Sequence, residues 1–338
     1  MRTVDWVNEQ IVIIDQTALP HTFAHLTLST TDQVIDAIQR LAVRGAPAIG
    51  ATGALGVAML ARAALRSGRP VDSILVDAER IADARPTAVN LRWAVEKVLR
   101  SVPNGHEAVV EAAVTLMHDD VTTNFAMTNR GADLVEELCS SVAAIVVHTH
   151  CNTGDLATVE GGTALGVAFR LHERGRLREV IADETRPLLQ GSRLTAFELA
   201  ERKIPYRISV DGAGPTCIAR AMVDIVLIGA DRVAANGDTA NKIGSYPLAL
   251  ACKRAGVPFV VVAPESTIDV STPCGADVPI EMRADREVTC VGGVEIAPAG
   301  SRSVNFAFDI TPVDLITAIV TEQRVIRPTP DLRIAPWN

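Results

Sequence analysis

The chain has 338 residues, 48% of them hydrophobic and 21% charged, and carries a net charge of −8. That length supports about two domains with a sizeable core. An acidic balance without a basic patch argues against nucleic acid as a partner.

The opening "MRTVDWVNEQIVIIDQTALP" shows no basic leader followed by an apolar run, so no export signal is expected. No apolar stretch is expected to reach the ~20 residues of a membrane span, which predicts no membrane association. Six cysteines (139, 151, 217, 252, 274 and 290) are scattered without a C-x-x-C pair. That usage predicts free thiols in a reducing cytoplasm.

The first third reads as helical. "TTDQVIDAIQRLAV" places capping residues before Val34, Ile35, Ile38, Leu41 and Ala42, a helical spacing. "VRGAPAIGATGALG" sets Arg44 before Gly45, Ala46 and a helix start. A guanidinium and backbone N–H groups there can share one oxyanion. The glycines at 50, 53 and 56 do not form G-x-G-x-x-G and serve close helix packing equally well. The helix that follows is apolar nearly all round, as for a core element. "DARPTAVN" repeats the arginine-before-helix pattern with Arg85, and its proline is expected to open the next helix. One or two helices then run from His106 to about Leu138.

From about Ser140 the texture changes. "AAIVVHT", "EVIAD", "YRISVD", "DIVLIGAD" and "PFVVVAP" are short β-branched runs separated by helical segments. That alternation predicts an α/β fold with a Rossmann-like parallel sheet covered on both faces. The expected division is a smaller, mainly helical domain at 1–130 and an α/β domain at 131–338. Each strand ends in polar chemistry: at Cys151, at Asp183-Glu184, at Asp211, at Asp231-Arg232 and at Glu265-Ser266. In open parallel sheets, ligands bind beyond such carboxyl ends.

In "HTHC", a two-residue period puts His148 and His150 on one side of the strand and Cys151 on the other. No matching His/Cys pair elsewhere supports zinc. Cys151 precedes "NTGD" and a helix carrying "GGTALGVAFRL", and a thiol near a helix N-terminus gains thiolate character. Asp231 follows an apolar strand and Gly229, a setting that raises a carboxyl pKa. Asn241 and Lys242 are expected to begin a helix, either binding a sugar or phosphate or merely capping it. Thr311 and Pro312 likewise read as a helix start.

Taken together, "IIDQTALP", "VRGAPAIG", "RPTAVNL", "THCNTG", "GTALGV", "DETRPLLQGSRLTAFEL", "GADRVAANGDTANKIGSY", "APESTID" and "FAFDITPVDLITAIVTEQRVIRP" resemble the methylthioribose-1-phosphate isomerases. These are relatives of the regulatory subunits of translation initiation factor 2B. The resemblance implies a helical N-terminal domain with a Rossmann-like domain, acting as a cytoplasmic homodimer in methionine salvage without metal or nucleotide cofactor. The implied reaction turns a 5-substituted 5-deoxyribose 1-phosphate, foremost 5-methylthioribose 1-phosphate, into the ribulose 1-phosphate. Its catalytic pair falls on Cys151 and Asp231. Its substrate contacts fall on Arg44, Gly45, Ala46, Arg85, Gln190, Asn241 and Lys242. Gly161-Gly162, "VDGAGPTC" around Asp211 and Phe306 depart from the family pattern. They leave open 5-deoxyribose or 5-fluoro-5-deoxyribose 1-phosphate as substrate. Ribose 1,5-bisphosphate isomerisation and a non-catalytic sugar-phosphate sensor are the remaining alternatives.

Overall fold

The computed structural model describes residues 1–85, 89–329 and 331–337. They form two compact units. The first comprises residues 1–125 and 153–162, and the second comprises residues 126–152 and 163–338.

The first unit begins with strands that the sequence reading did not anticipate: β1 (Val4–Val7), β2 (Gln10–Ile14) and β3 (His25–Leu28) form an antiparallel sheet. Helices α1 (Thr31–Gln39), α2 (Ala46–Arg66), α3 (Leu75–Ala82) and α4 (Val89–Leu99) follow, and α5 runs from His106 to Leu138. Thr30 and Gln33 close α1 with a reciprocal capping box, satisfying two backbone donors that a helix start otherwise leaves free. Pro86, expected to open α4, lies outside the described residues.

Contrary to the expectation from sequence, α2 is long and apolar enough to span a membrane, with 21 residues. Its most apolar window is 83% buried inside the protein, as befits a core helix. It packs on Ile11, Ile13, Val34, Ile38, Ile81, Leu91 and Val95. The glycines of α2 serve that packing: a Cβ on Gly53 would sit 2.4 Å from Leu91, and one on Gly56 would sit 2.9 Å from Ile81.

The second unit is built on a seven-stranded sheet. Its strands in chain order are β4 (Ile145–Thr149), β5 (Leu177–Asp183), β6 (Tyr206–Ser209) and β7 (Ile225–Ile228). After them come β8 (Arg232–Ala234), β9 (Thr239–Lys242), β10 (Phe259–Val262) and β11 (Ile268–Asp269). The last are β12 (Cys290–Val291), β13 (Val294–Glu295), β14 (Phe308–Thr311), β15 (Ala318–Val320) and β16 (Val325–Ile326). The large sheet has the order β16-β15-β10-β7-β4-β5-β6. All of its pairings are parallel except that of β16 with β15. A smaller sheet has the order β11-β8-β9-β14, and β12 pairs with β13.

Alternation along the central strands covers both faces. Ile145, Val147, Ile225, Leu227, Val260 and Val262 pack with Val135 of α5 and with Ala164, Val167 and Leu171 of α6 (Ala164–Glu173). Val146, Val226, Ile228, Phe259 and Val261 pack on the other side with Leu248, Ala249 and Cys252 of α7 (Ser245–Ala255). Strands buried on both faces need this near-continuous apolar run.

Two local expectations are corrected. Asn241 and Lys242 lie on β9, and the helix begins only at Ser245. Antiparallel pairing with β14 sets Asn241 opposite Asp309 and Lys242 opposite Phe308. Thr311 ends β14 rather than capping a helix. Only a short 3-10 turn, Val313–Leu315, follows before β15. Parallel pairing with β10 claims Ala318–Val320 for the sheet.

Candidate active site

The large sheet reverses its direction of growth between β4 and β7. From β4 the chain adds β5 and β6 on one side, then returns to add β7, β10 and β15 on the other. Cys151 follows β4 and Asp231 follows β7. These two strands are parallel neighbours, so the two residues follow the carboxyl ends that flank the switch point, where α/β sheets bind ligands.

Beneath Cys151 lies a polar cluster closed to solvent. His148, His150 and Asp183 are each no more than 1% exposed. His150 Nδ1 is 2.9 Å from Asp183 Oδ2, and its Nε2 is 2.8 Å from the Ile243 carbonyl oxygen. A carbonyl accepts only, so Nε2 carries a proton; an ionised carboxylate also accepts only, so Nδ1 carries one too. His150 is therefore an imidazolium against the Asp183 carboxylate. Burial works against the charged ring, but the hydrogen bond and charge of Asp183 and the charge of Asp211 outweigh it and raise the His150 pKa. Burial likewise opposes the Asp183 carboxylate, yet the two histidines hold its pKa below the usual range. His148 Nε2 lies 3.1 Å from Asp183 Oδ1. Both histidines thus serve the same carboxylate, as their common side of the strand requires.

His150, Asp183 and Asp211 bring potential metal-ligand atoms within 4.8 Å of one another. His150, Asp183 Oδ2 and Asp211 are already engaged in hydrogen bonds. His150 uses both ring nitrogens, and Asp211 accepts the N–H groups of Thr185 (2.7 Å) and Arg186 (2.6 Å). The chemistry here is that of a hydrogen-bonded support for the end of β4.

Cys151 is half-buried and its backbone is left-handed, with φ +66°. Its N–H donates to Thr185 Oγ1 at 2.9 Å, and its carbonyl accepts from Thr195 Oγ1 at 2.7 Å. Helix α6 starts thirteen residues downstream at Ala164. The helix-start argument for a lowered thiol pKa therefore does not hold at Cys151. Sequence reasoning missed both threonines, because nothing in "DETRPLLQGSRLT" marks two hydroxyls as partners of a residue over 30 positions upstream. Thr195 ends a π-helical turn, Gly191–Thr195, a feature frequent at functional sites. That turn approaches β5 closely: a Cβ on Gly191 would lie 1.6 Å from the Asp183 carbonyl oxygen.

Gln190 immediately precedes the π turn and is fully buried. Neither atom of its amide has a partner among the described residues. Asn241 Nδ2 donates to Ser245 Oγ at 2.8 Å. Lys242 Nζ donates to the Ala307 carbonyl at 3.0 Å and lies 5.3 Å from the centre of the Phe308 ring. Direct bonds join these segments. Thr185 and Thr195 link the Cys151 peptide to the Gln190 loop, and His150 reaches Ile243 beside Lys242. The Asp231 N–H reaches Ala240 beside Asn241 at 2.9 Å. Arg44, Gly45, Ala46 and Arg85 belong to the first unit. Gly45, at φ +86°, is the residue before α2.

Residues 42–328 match the model of the Initiation factor 2 subunit family. The chain is 50% identical, over 99% of its length, to the probable bifunctional methylthioribose-1-phosphate isomerase/methylthioribulose-1-phosphate dehydratase of Nocardia farcinica, and spans 62% of that protein. It is 47% identical to the methylthioribose-1-phosphate isomerase of Alkalilimnicola ehrlichii, covering 96% of this chain and 94% of that one. The crystal structure of 5-methylthioribose 1-phosphate isomerase from Pyrococcus horikoshii superposes with a TM-score of 0.87 at 36% identity, covering 97% of this chain and 92% of that one. The chain belongs to the Initiation factor 2 subunit family and, within it, to the methylthioribose-1-phosphate isomerases.

Proposed function

We propose that the chain converts 5-methylthioribose 1-phosphate to 5-methylthioribulose 1-phosphate, with Cys151 and Asp231 as its proton-transfer pair. The observation that carries this reading is the placement of those two residues after the neighbouring strands β4 and β7, at the sheet's switch point.

The 1-phosphate locks the sugar ring, so spontaneous opening to an aldehyde is closed off. In the proposed scheme the Cys151 thiolate removes the proton from C2, and those electrons form a C1=C2 double bond. The bond from C1 to the ring oxygen breaks, and protonated Asp231 gives its proton to that oxygen. The resulting enol phosphate then takes the proton from Cys151 at C1, while the 2-hydroxyl returns a proton to Asp231. The product is the 2-ketone, and both groups regain their starting state. Gln190, Asn241 and Lys242 are the proposed contacts to the sugar and its phosphate on this unit. Arg44, with the N–H groups of Gly45 and Ala46, and Arg85 are the further phosphate contacts the resemblance suggests.

The same reading takes the second unit as Rossmann-like and the first as mainly helical, in a cytoplasmic homodimer. Exposed Met282 and Phe306, which pair in an isolated antiparallel bridge, give an apolar patch consistent with a second copy.

The test is incubation of the purified chain with 5-methylthioribose 1-phosphate in D₂O, followed by NMR. The ketone is expected; deuterium at its C1 would show proton transfer with exchange at Cys151, and retained hydrogen would fit a shielded proton or a hydride shift. Turnover of the 5-deoxy or 5-fluoro-5-deoxy sugar alone would reassign the substrate. No turnover of any of the three would overturn the enzyme reading.

A further inference from the structure

The Cys151 peptide is held on both sides by hydroxyls that the proposed chemistry does not use. We propose that Thr185 and Thr195 are positioning residues for the Cys151 thiol, gripping its peptide so that the backbone stays left-handed. This rests on the reading of Cys151 as the proton-transferring group.

A residue with a Cβ avoids φ +66° unless its surroundings impose it. Here the hydrogen bonds dictate it, and each hydroxyl has only one proton to place. Thr185 Oγ1 donates its proton to the Asp183 carbonyl at 3.0 Å, so toward the Cys151 N–H it can only accept. Thr195 Oγ1 donates its proton to the Cys151 carbonyl and accepts from Asn152 Nδ2 at 3.2 Å. The same Asn152 nitrogen also donates to Glu198 at 2.8 Å. Thr185 is itself pinned, since its N–H donates to Asp211. The Cys151 N–H and carbonyl belong to the two peptide groups that flank its Cα, so holding both restrains φ and ψ, which set the direction in which the side chain leaves the backbone. Release of either bond lets Cys151 relax toward ordinary φ values and re-aims the thiol. A misplacement of about 1 Å at a reacting group is enough to cost on the order of 100-fold in rate.

Valine keeps the shape of threonine and removes the hydroxyl, whereas serine keeps the hydroxyl. Thr185→Val and Thr195→Val are expected to lower kcat by about 10- to 100-fold with little change in KM. They are also expected to shift the pH profile for alkylation of the Cys151 peptide by iodoacetamide, read by mass spectrometry. Thr185→Ser and Thr195→Ser are expected to restore both readouts to near wild type. Valine variants with wild-type kcat, alongside an inactive Cys151→Ser, would overturn the positioning role and leave the role of Cys151 standing. Losses that follow only the melting temperature and that serine does not rescue would also overturn it. A fully active Cys151→Ser would remove the thiol from the reaction and the clamp with it.

Discussion

His150 and Asp183 meet at 2.9 Å in a region closed to solvent, and the far nitrogen of His150 is committed to a carbonyl. The pair is thus a buried imidazolium and carboxylate. Its charge states tie stability to pH at both ends. The His150 pKa is raised on folding from 6.5, so its contribution is complete below about pH 6.5 and is lost as pH rises through the folded value. The Asp183 pKa is lowered from 3.8, so its contribution is complete above about pH 3.8 and is lost as pH falls through the folded value. Urea unfolding across this range should give a plateau flanked by two declines. Asp183→Asn should flatten both flanks and destabilise the chain by about 3–5 kcal/mol, because it leaves a buried charge without its partner. An unchanged profile in that variant would contradict the assignment.

Cys151→Ser and Asp231→Asn should each lower kcat by about 10²- to 10⁴-fold, the usual worth of a general acid or base. Neither change alters side-chain volume much, so circular dichroism and melting temperature should stay near wild type. If the double variant is no slower than the slower single one, the two groups act as a unit.

Arg44→Ala and Arg85→Ala test phosphate binding separately from chemistry. Loss of one charge-assisted hydrogen bond of about 1.5–3 kcal/mol should raise KM by about 10- to 100-fold, with kcat less affected. Inorganic phosphate, measured as a competitive inhibitor, should weaken in parallel. A KM unchanged in both variants would remove these arginines from the site.

Gly191→Ala should be poorly tolerated. Its Cβ would meet a backbone oxygen rather than a side chain that could swing aside. Destabilisation of about 3 kcal/mol or more is expected, at the upper end for overpacking, seen as a lowered denaturation midpoint. Gly53→Ala should cost less, since the Leu91 methyl it approaches can move.

The strand ends of the large sheet were legible because burial on both faces writes itself as β-branched runs, and polar residues stop each run. Cys151, Asp183, Asp211, Asp231 and Glu265 were all placed that way. "DTANK" escaped because β9 owes its strand to pairing, with neighbouring β8 on one side and with β14, far along the chain, on the other. The supposed helix after Thr311 failed for the same reason, since local capping signals lost to pairing with β10. The left-handed backbone at Cys151 left no trace, because the residue that usually announces it is glycine.

A chain selected only for durability would carry glycine at position 151, where any other residue gives up about 1 kcal/mol. Retaining cysteine there is a stability–activity trade-off of the kind found where function governs a position. Cys151→Gly should therefore melt higher than the natural chain while failing to turn over substrate.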